Sequence, residues 1–338
     1  MSAGSFDLWF ELRIATYCAI PRGFRLLPAR PREPDFVVTT KRIPVLPLEI
    51  WRQIVAEFLP HPSNFPVYYA EARALIACVC KLWHVRVYAD QSFWTYLCIN
   101  QHVLLESLKF VLAKCPTALL DVRIALLDVD TRYDTWSPPE PPSTILNRLL
   151  SMISPTSLRW RSFFLITENP ESFLDVFRSC EFLPAPKLRT LTVHYTLMEG
   201  YSSFESDDPI YFEPVDRRDW FGGALSNVTS LETCGIRMPG SVHSLVSALV
   251  SLNISQGYSE SLFEWEFFVQ LFSAAVHLRH LKLAAFAGVV VPRATPDRAK
   301  LESTSLRILD LTLDADAFAV SFIRLLAAPN LLDLTLRT

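Results

Sequence analysis

With 338 residues, half of them hydrophobic and only 20% charged, the chain holds enough apolar material for two domains or for one domain plus an elongated array. A formal net charge of -3 gives no global basis for nucleic-acid binding, which needs a concentrated basic surface. Nine glycines against 24 prolines speak against glycine-rich phosphate loops and tight hairpins, and for many short elements with firm stops.

Residues 1–44 show no sustained period, and the stretch PRGFRLLPARPREPDF reads as a flexible, weakly basic tail. Periodicity starts with IPVLPLEIWRQIVAEFLP, where Leu48, Trp51, Ile54, Val55, Phe58 and Leu59 share one helical face. Pro47 suits the start of that helix and Pro60 its end. HPSNFPVYY reads as a loop. EARALIACVCKLWHVRVYA then predicts a second amphipathic helix aligning Leu75, Ile76, Val79, Trp83 and Val87, and QSFWTYLCI a short third helix or turn. Three short helices bury little surface alone, so their apolar face has to close on something else.

Beyond residue 100 a spacing recurs, L-x-x-L-x-L or a near variant: LLDVRI (119–124), LRTLTV (188–193), LETCGI (231–236), LVSLNI (249–254), LRHLKL (278–283), LRILDL (306–311) and LLDLTL (331–336). LRWRSFFL at 158–165 is a degenerate copy. The alternation predicts short strands with every second side chain turned inward. Pro116, Pro155, Pro186 and Pro329 each precede a copy and mark the return from helix to strand. Between copies, NPESFLDVFRSCEFL predicts a helix capped by Asn169, and SESLFEWEFFVQLFSAA and DADAFAVSFIRLLAAP two more. Strand and helix alternating at intervals of roughly 25 to 40 residues describe an α/β chain built as an irregular solenoid of parallel strands. A doubly wound domain is the rival, but the glycine-rich turn it wants after a strand is not found. The last copy ends the sequence without a helix after it. That edge calls for unrepeated packing, a covering partner, or further sequence.

Catalytic and metal signatures are sparse. Seven scattered cysteines, mostly in apolar stretches, read as reduced thiols of a cytoplasmic or nuclear protein. Cys78 and Cys80 have no matching second pair, and His277 and His280 read as solvent-facing, so no metal and no cofactor are expected. No apolar run reaches the roughly 18–20 residues of a membrane span, and Asp7 and Glu11 interrupt the one candidate leader segment.

Residues 45–100 resemble an F-box. The resemblance rests on Leu46, Pro47, Leu48, Glu49, Ile50 and Trp51, then Ile54 and Leu59, then Val79, Cys80, Lys81, Leu82 and Trp83, and finally Phe93, Trp94 and Leu97. The loop after the first helix is longer than that pattern usually carries. Residues 101–338 resemble the leucine-rich repeats that often follow an F-box, and the tryptophan-rich, cysteine-bearing character resembles F-box proteins of mushroom-forming fungi. The resemblance implies a non-enzymatic substrate-recognition subunit of a Skp–cullin–F-box ubiquitin ligase. Leu46, Pro47, Leu48, Ile50, Ile54, Val79, Cys80, Trp83 and Trp94 would meet the Skp-type adaptor. Within that set Trp83 and Trp94 are expected to hold the helices together, and Pro47, Leu48, Ile50, Val79 and Cys80 to supply more of the surface. The repeats would bind an unknown protein substrate through outward positions, with Arg189, Thr192, His280, Lys282 and Arg307 as candidates. Two insertions, 128–143 and 199–220, are candidate recognition loops. The alternatives are a ligase-independent repeat scaffold capped by the helices, and an enzyme such as a hydrolase in an unrecognised α/β domain.

Overall fold

The computed structural model describes residues 46–59, 66–100, 103, 105–126, 142–195, 221, 225–236, 246–255, 265–284, 301–312 and 316–337. The N-terminal tail and nearly all of the two insertions lie outside them. The chain divides into two compact units, Met1–Trp94 with His102–Cys115, and Thr95–Gln101 with Pro116–Thr338. The chain therefore crosses between the two units three times; the sequence suggests boundaries at 44/45 and 100/101.

The first unit is helical. Its elements are α1 (Leu48–Phe58), α2 (Pro66–Cys78), α3 (Lys81–Ala89), a 3-10 turn (Gln91–Trp94) and α4 (Leu105–Lys114). Two expectations need correction. Helix α2 starts at Pro66, inside the segment read as a loop. The helix expected to run on to Ala89 is interrupted at Val79 and Cys80, with Cys80 extended at φ -164° and ψ 166°. No proline or glycine marks this break, so local sequence rules do not reveal it. The interior is aromatic: Trp51 meets Phe93 at 5.5 Å and Trp83 edge-on at 6.0 Å. Trp94 meets Tyr88 at 5.3 Å and Phe110 of α4 at 5.5 Å.

The second unit is built on a sheet. Strands β1 (Tyr96–Ile99), β2 (Leu120–Leu126), β3 (Trp160–Thr167), β4 (Thr190–Tyr195), β5 (Ser230–Cys234), β6 (Ser251–Ser255), β7 (His280–Ala284), β9 (Ile308–Thr312) and β11 (Asp333–Arg337) form nine parallel strands in chain order. A short pair, β8 (Leu301–Glu302) and β10 (Leu326–Ala327), forms a separate two-stranded ladder. Between strands lie α5 (Pro142–Ile153), α6 (Pro170–Cys180), α7 (Trp265–Ala274) and α8 (Asp316–Leu325). The expectation of a helix or turn at 91–99 holds only to Trp94; Tyr96–Ile99 are a strand paired with β2.

The register explains the sequence pattern. Val122, Phe163, Leu191, Leu231, Leu252, Leu281 and Leu309 form one buried row, and Ile124, Leu165, Val193, Thr233, Ile254, Leu283 and Leu311 the next. Each fully buried aliphatic side chain contributes about 2 kcal/mol of transfer free energy. The copy read at 231–236 sits three residues out of frame, since Leu231 pairs with Leu191 and Leu252, the second apolar positions of their copies, and the buried Val228 takes the first. Conversely, WTYLCI (94–99) is an unrecognised copy, with Trp94 in the first leucine's place.

Helix α6 follows its predicted cap: Asn169 Oδ1 accepts from the N–H groups of Glu171 at 2.8 Å and Ser172 at 3.1 Å, worth about 1 kcal/mol. Helices α7 and α8 share an aromatic cluster in which Phe322 meets Phe268 at 5.5 Å and Trp265 at 6.1 Å.

Candidate interaction surfaces

In the helical unit, apolar side chains both fill the interior and remain outside it. Trp51 and Val55, one turn apart on α1, are buried. The neighbouring stripe at the same spacing, Ile50, Ile54 and Phe58, is partly or largely solvent-facing, and Phe58 is 70% exposed. Leu48 is exposed at the helix start, as are Val79 at the α2–α3 break and Leu82 and Val85 on α3. These exposed apolar side chains make this part of the helical unit the candidate surface for contact with another molecule.

The expected adaptor residues separate by burial. Pro47, Leu48, Ile50 and Val79 are exposed, and Leu46, Ile54, Cys80 and Trp83 are half-buried. Trp94 is completely buried and donates its indole N–H to the Val87 carbonyl at 3.0 Å, so it offers no surface and acts from within. Phe58, Leu82 and Val85 are exposed too but are not in the expected adaptor set, because helical periodicity places residues on a face without saying which face is covered.

Three arginines brace this unit, and none was singled out from sequence. The buried Arg73 guanidinium stacks 4.0 Å over the Trp94 ring and donates to the Phe93 carbonyl at 3.1 Å. Arg86 donates to the Leu46 carbonyl at 3.1 Å, holding the entry to α1. Arg52 on α1 pairs with Asp90 at the end of α3, 3.0 Å apart. Burial pushes the Asp90 carboxyl up, but hydrogen bonds from Ser92 and the Arg52 guanidinium outweigh it and hold it below the usual range. A depressed native value stabilises the fold above the unfolded Asp value of about 3.9, and that contribution is lost as pH falls through the native value. Thermal melting should therefore drop over this acid window, and the drop should shrink in Asp90→Asn; equal profiles would remove the ion pair from the account.

On the sheet, the outward positions make a second surface. Thr192 is buried, and the exposed Arg189 and Arg307 donate to the main-chain oxygens of Asn227 and Asn330, each at 3.2 Å. They tie one strand entry to the next, a structural duty hidden in the sequence. Of the five expected substrate residues, His280 and Lys282 project from the outward face of β7. Alongside them runs a chain of contacts. Arg123 stacks 3.9 Å over Phe164, Phe164 meets the His194 ring at 5.5 Å, and His194 Nε2 stands 3.4 Å from Glu232 Oε1. Asn253 donates to that same Glu232 oxygen at 2.8 Å. His194 chiefly, with Lys282 and Asn253 adding to it, holds the Glu232 carboxyl below the usual range despite burial. These residues lie on six strands, β2 to β7, so only the register assembles them.

Cys78, His277 and His280 are exposed and Cys80 is half-buried. Among the described residues no cluster of His, Cys, Asp or Glu is arranged to hold a metal, and no helix is long and apolar enough to cross a membrane. No protein-family model matches the chain, and no curated protein is similar to it in sequence.

Proposed function

We propose that this chain is a substrate-recognition subunit of a Skp–cullin–F-box type ubiquitin ligase, without catalytic chemistry or cofactor of its own, working in the cytoplasm or nucleus. The helical unit docks on a Skp-type adaptor, and through it on a cullin. The sheet-bearing unit is an irregular leucine-rich-repeat solenoid that selects a protein substrate. The observation that carries the reading is the exposed apolar set Leu48, Ile50, Phe58, Val79, Leu82 and Val85 beside an interior already filled by Trp51 and Trp94. It coincides with the Leu-Pro opening and the Val-Cys-Lys-Leu-Trp run that resemble an F-box.

The solenoid part of the reading draws on the sheet. Doubly wound sheets reverse strand order at a switch point, and parallel sheets covered on both faces read as continuous apolar runs. In the nine-stranded sheet strand order follows chain order, and most strands alternate buried and more exposed residues.

The test uses the full chain, because a fragment ending at residue 105 would strip α4 and its Phe110 from Trp94. Coexpressed with a Skp-type adaptor, the wild type should copurify stoichiometrically. Val79→Glu and Ile50→Asp, both at exposed positions, should leave circular dichroism unchanged and weaken binding by roughly 100-fold, the effect of a charge forced into a desolvated hot spot. Absence of binding by the wild type would overturn the reading and leave the scaffold alternative.

A further inference from the structure

The edge strand β11 breaks the burial rule of its sheet. Leu334 and Leu336 are in register with Leu309 and Leu311, each 1% exposed, yet they are 43% and 53% exposed themselves. Leu332, just before the strand, is 79% exposed. Asp333 turns its N–H to Arg307 on the β9 side at 3.0 Å, so by alternation the main-chain groups of Leu334 and Leu336 point away from β9. Edge strands are commonly blunted by charged side chains, which repel a second strand where the facing charges are alike. Asp333 and Arg337 instead carry opposite signs.

We infer that β11 pairs with β11 of a second copy of this chain, antiparallel and centred on Thr335. The strand Asp-Leu-Thr-Leu-Arg is complementary to its own reverse. In that register Asp333 faces Arg337 of the other copy, Leu334 faces Leu336, and Thr335 faces itself on the twofold axis. The outward N–H and C=O groups of Leu334 and Leu336 are those that the hydrogen-bonded pairs of this ladder require, and Asp333 and Arg337 fall in the closer, non-bonded pairs. A shift by two residues keeps leucine against leucine but breaks both charge pairs, so the charges set the register. Arg337 also stands 3.8 Å from Asp310 of its own chain, a long contact with the guanidinium well exposed, which leaves donors for the second copy. The result is an isologous interface that joins two sheets into one. A five-residue strand buries less than the ~1,000 Å² typical of a permanent dimer, so the association depends on concentration.

Sedimentation velocity of the full chain, from about 1 to about 100 µM, should show the wild type shifting from monomer to dimer. Asp333→Arg and Arg337→Asp, each alone, bring like charges together twice and should raise the dissociation constant roughly tenfold or more. Mixing the two variants sets an all-basic strand against an all-acidic one and should restore dimers, whereas loss of the contact to Asp310 would not be repaired by mixing. A wild type that stays monomeric, a dimer indifferent to the single variants, or a mixture that fails to associate overturns the inference.

Discussion

Trp94→Ala should cost the helical unit about 5 kcal/mol, a large part of what a domain of this size has to lose. Three effects add. The ring is fully buried between Tyr88 and Phe110, and its loss leaves a cavity worth about 3–5 kcal/mol. The Val87 carbonyl loses the indole N–H and is stranded, at about 1–3 kcal/mol. Arg73, buried with its guanidinium over the ring, loses the face that stabilises its charge. Trp94→Phe keeps a ring under Arg73 and gives up chiefly the hydrogen bond, so about 1–2 kcal/mol is expected from it. Urea denaturation followed by circular dichroism, with hydrogen exchange of α1 to α3, reads both. Near-equal losses for the two variants would show that the indole N–H, and not the filled volume, is what the interior depends on.

The same tryptophan shows how far the sequence could be read. Most strands were legible, because a leucine at every second strand position leaves a local mark. WTYLCI escaped because tryptophan replaces the first leucine, and because Trp94 groups with the helices while Tyr96–Ile99 join the sheet. The frame slipped at Leu231 because Thr233 occupies a row position that is aliphatic on its neighbours, though it is only 3% exposed. For the adaptor-facing surface, motif resemblance located Pro47, Leu48, Ile50 and Val79, while exposure on α3 depends on the break at Cys80. The outward row on the sheet was least legible. Its neighbours are far apart in sequence, and position 189 or 307 looks the same whether arginine faces a ligand or bonds to the main chain of the next turn.

A smaller substitution tests the sheet. Gly235→Ala should cost about 3 kcal/mol or more, although a glycine replaced by alanine at a compatible site normally gains about 0.4–1 kcal/mol through the unfolded state. Gly235 ends β5 at φ 68°, a left-handed conformation that costs an alanine about 1–2 kcal/mol. A β-carbon there would also overlap the main-chain oxygen of Tyr195, and no rotamer relieves a backbone clash. Its N–H donates to the Ser255 carbonyl at 3.0 Å, so the residue is held between the ends of β4 and β6 and cannot step aside without breaking that bond. Whatever yields carries Tyr195 with it, and Tyr195 packs on Phe173 of α6 at 5.9 Å, next in sequence to the His194 that faces Glu232. Chemical denaturation of the variant, with the carboxyl titration of Glu232 followed by NMR, should therefore show lost stability and a Glu232 carboxyl returning toward its usual range. A variant as stable as the wild type would mean that β5 leaves the sheet by another turn, and the contact between His194 and Glu232 would lose its structural support.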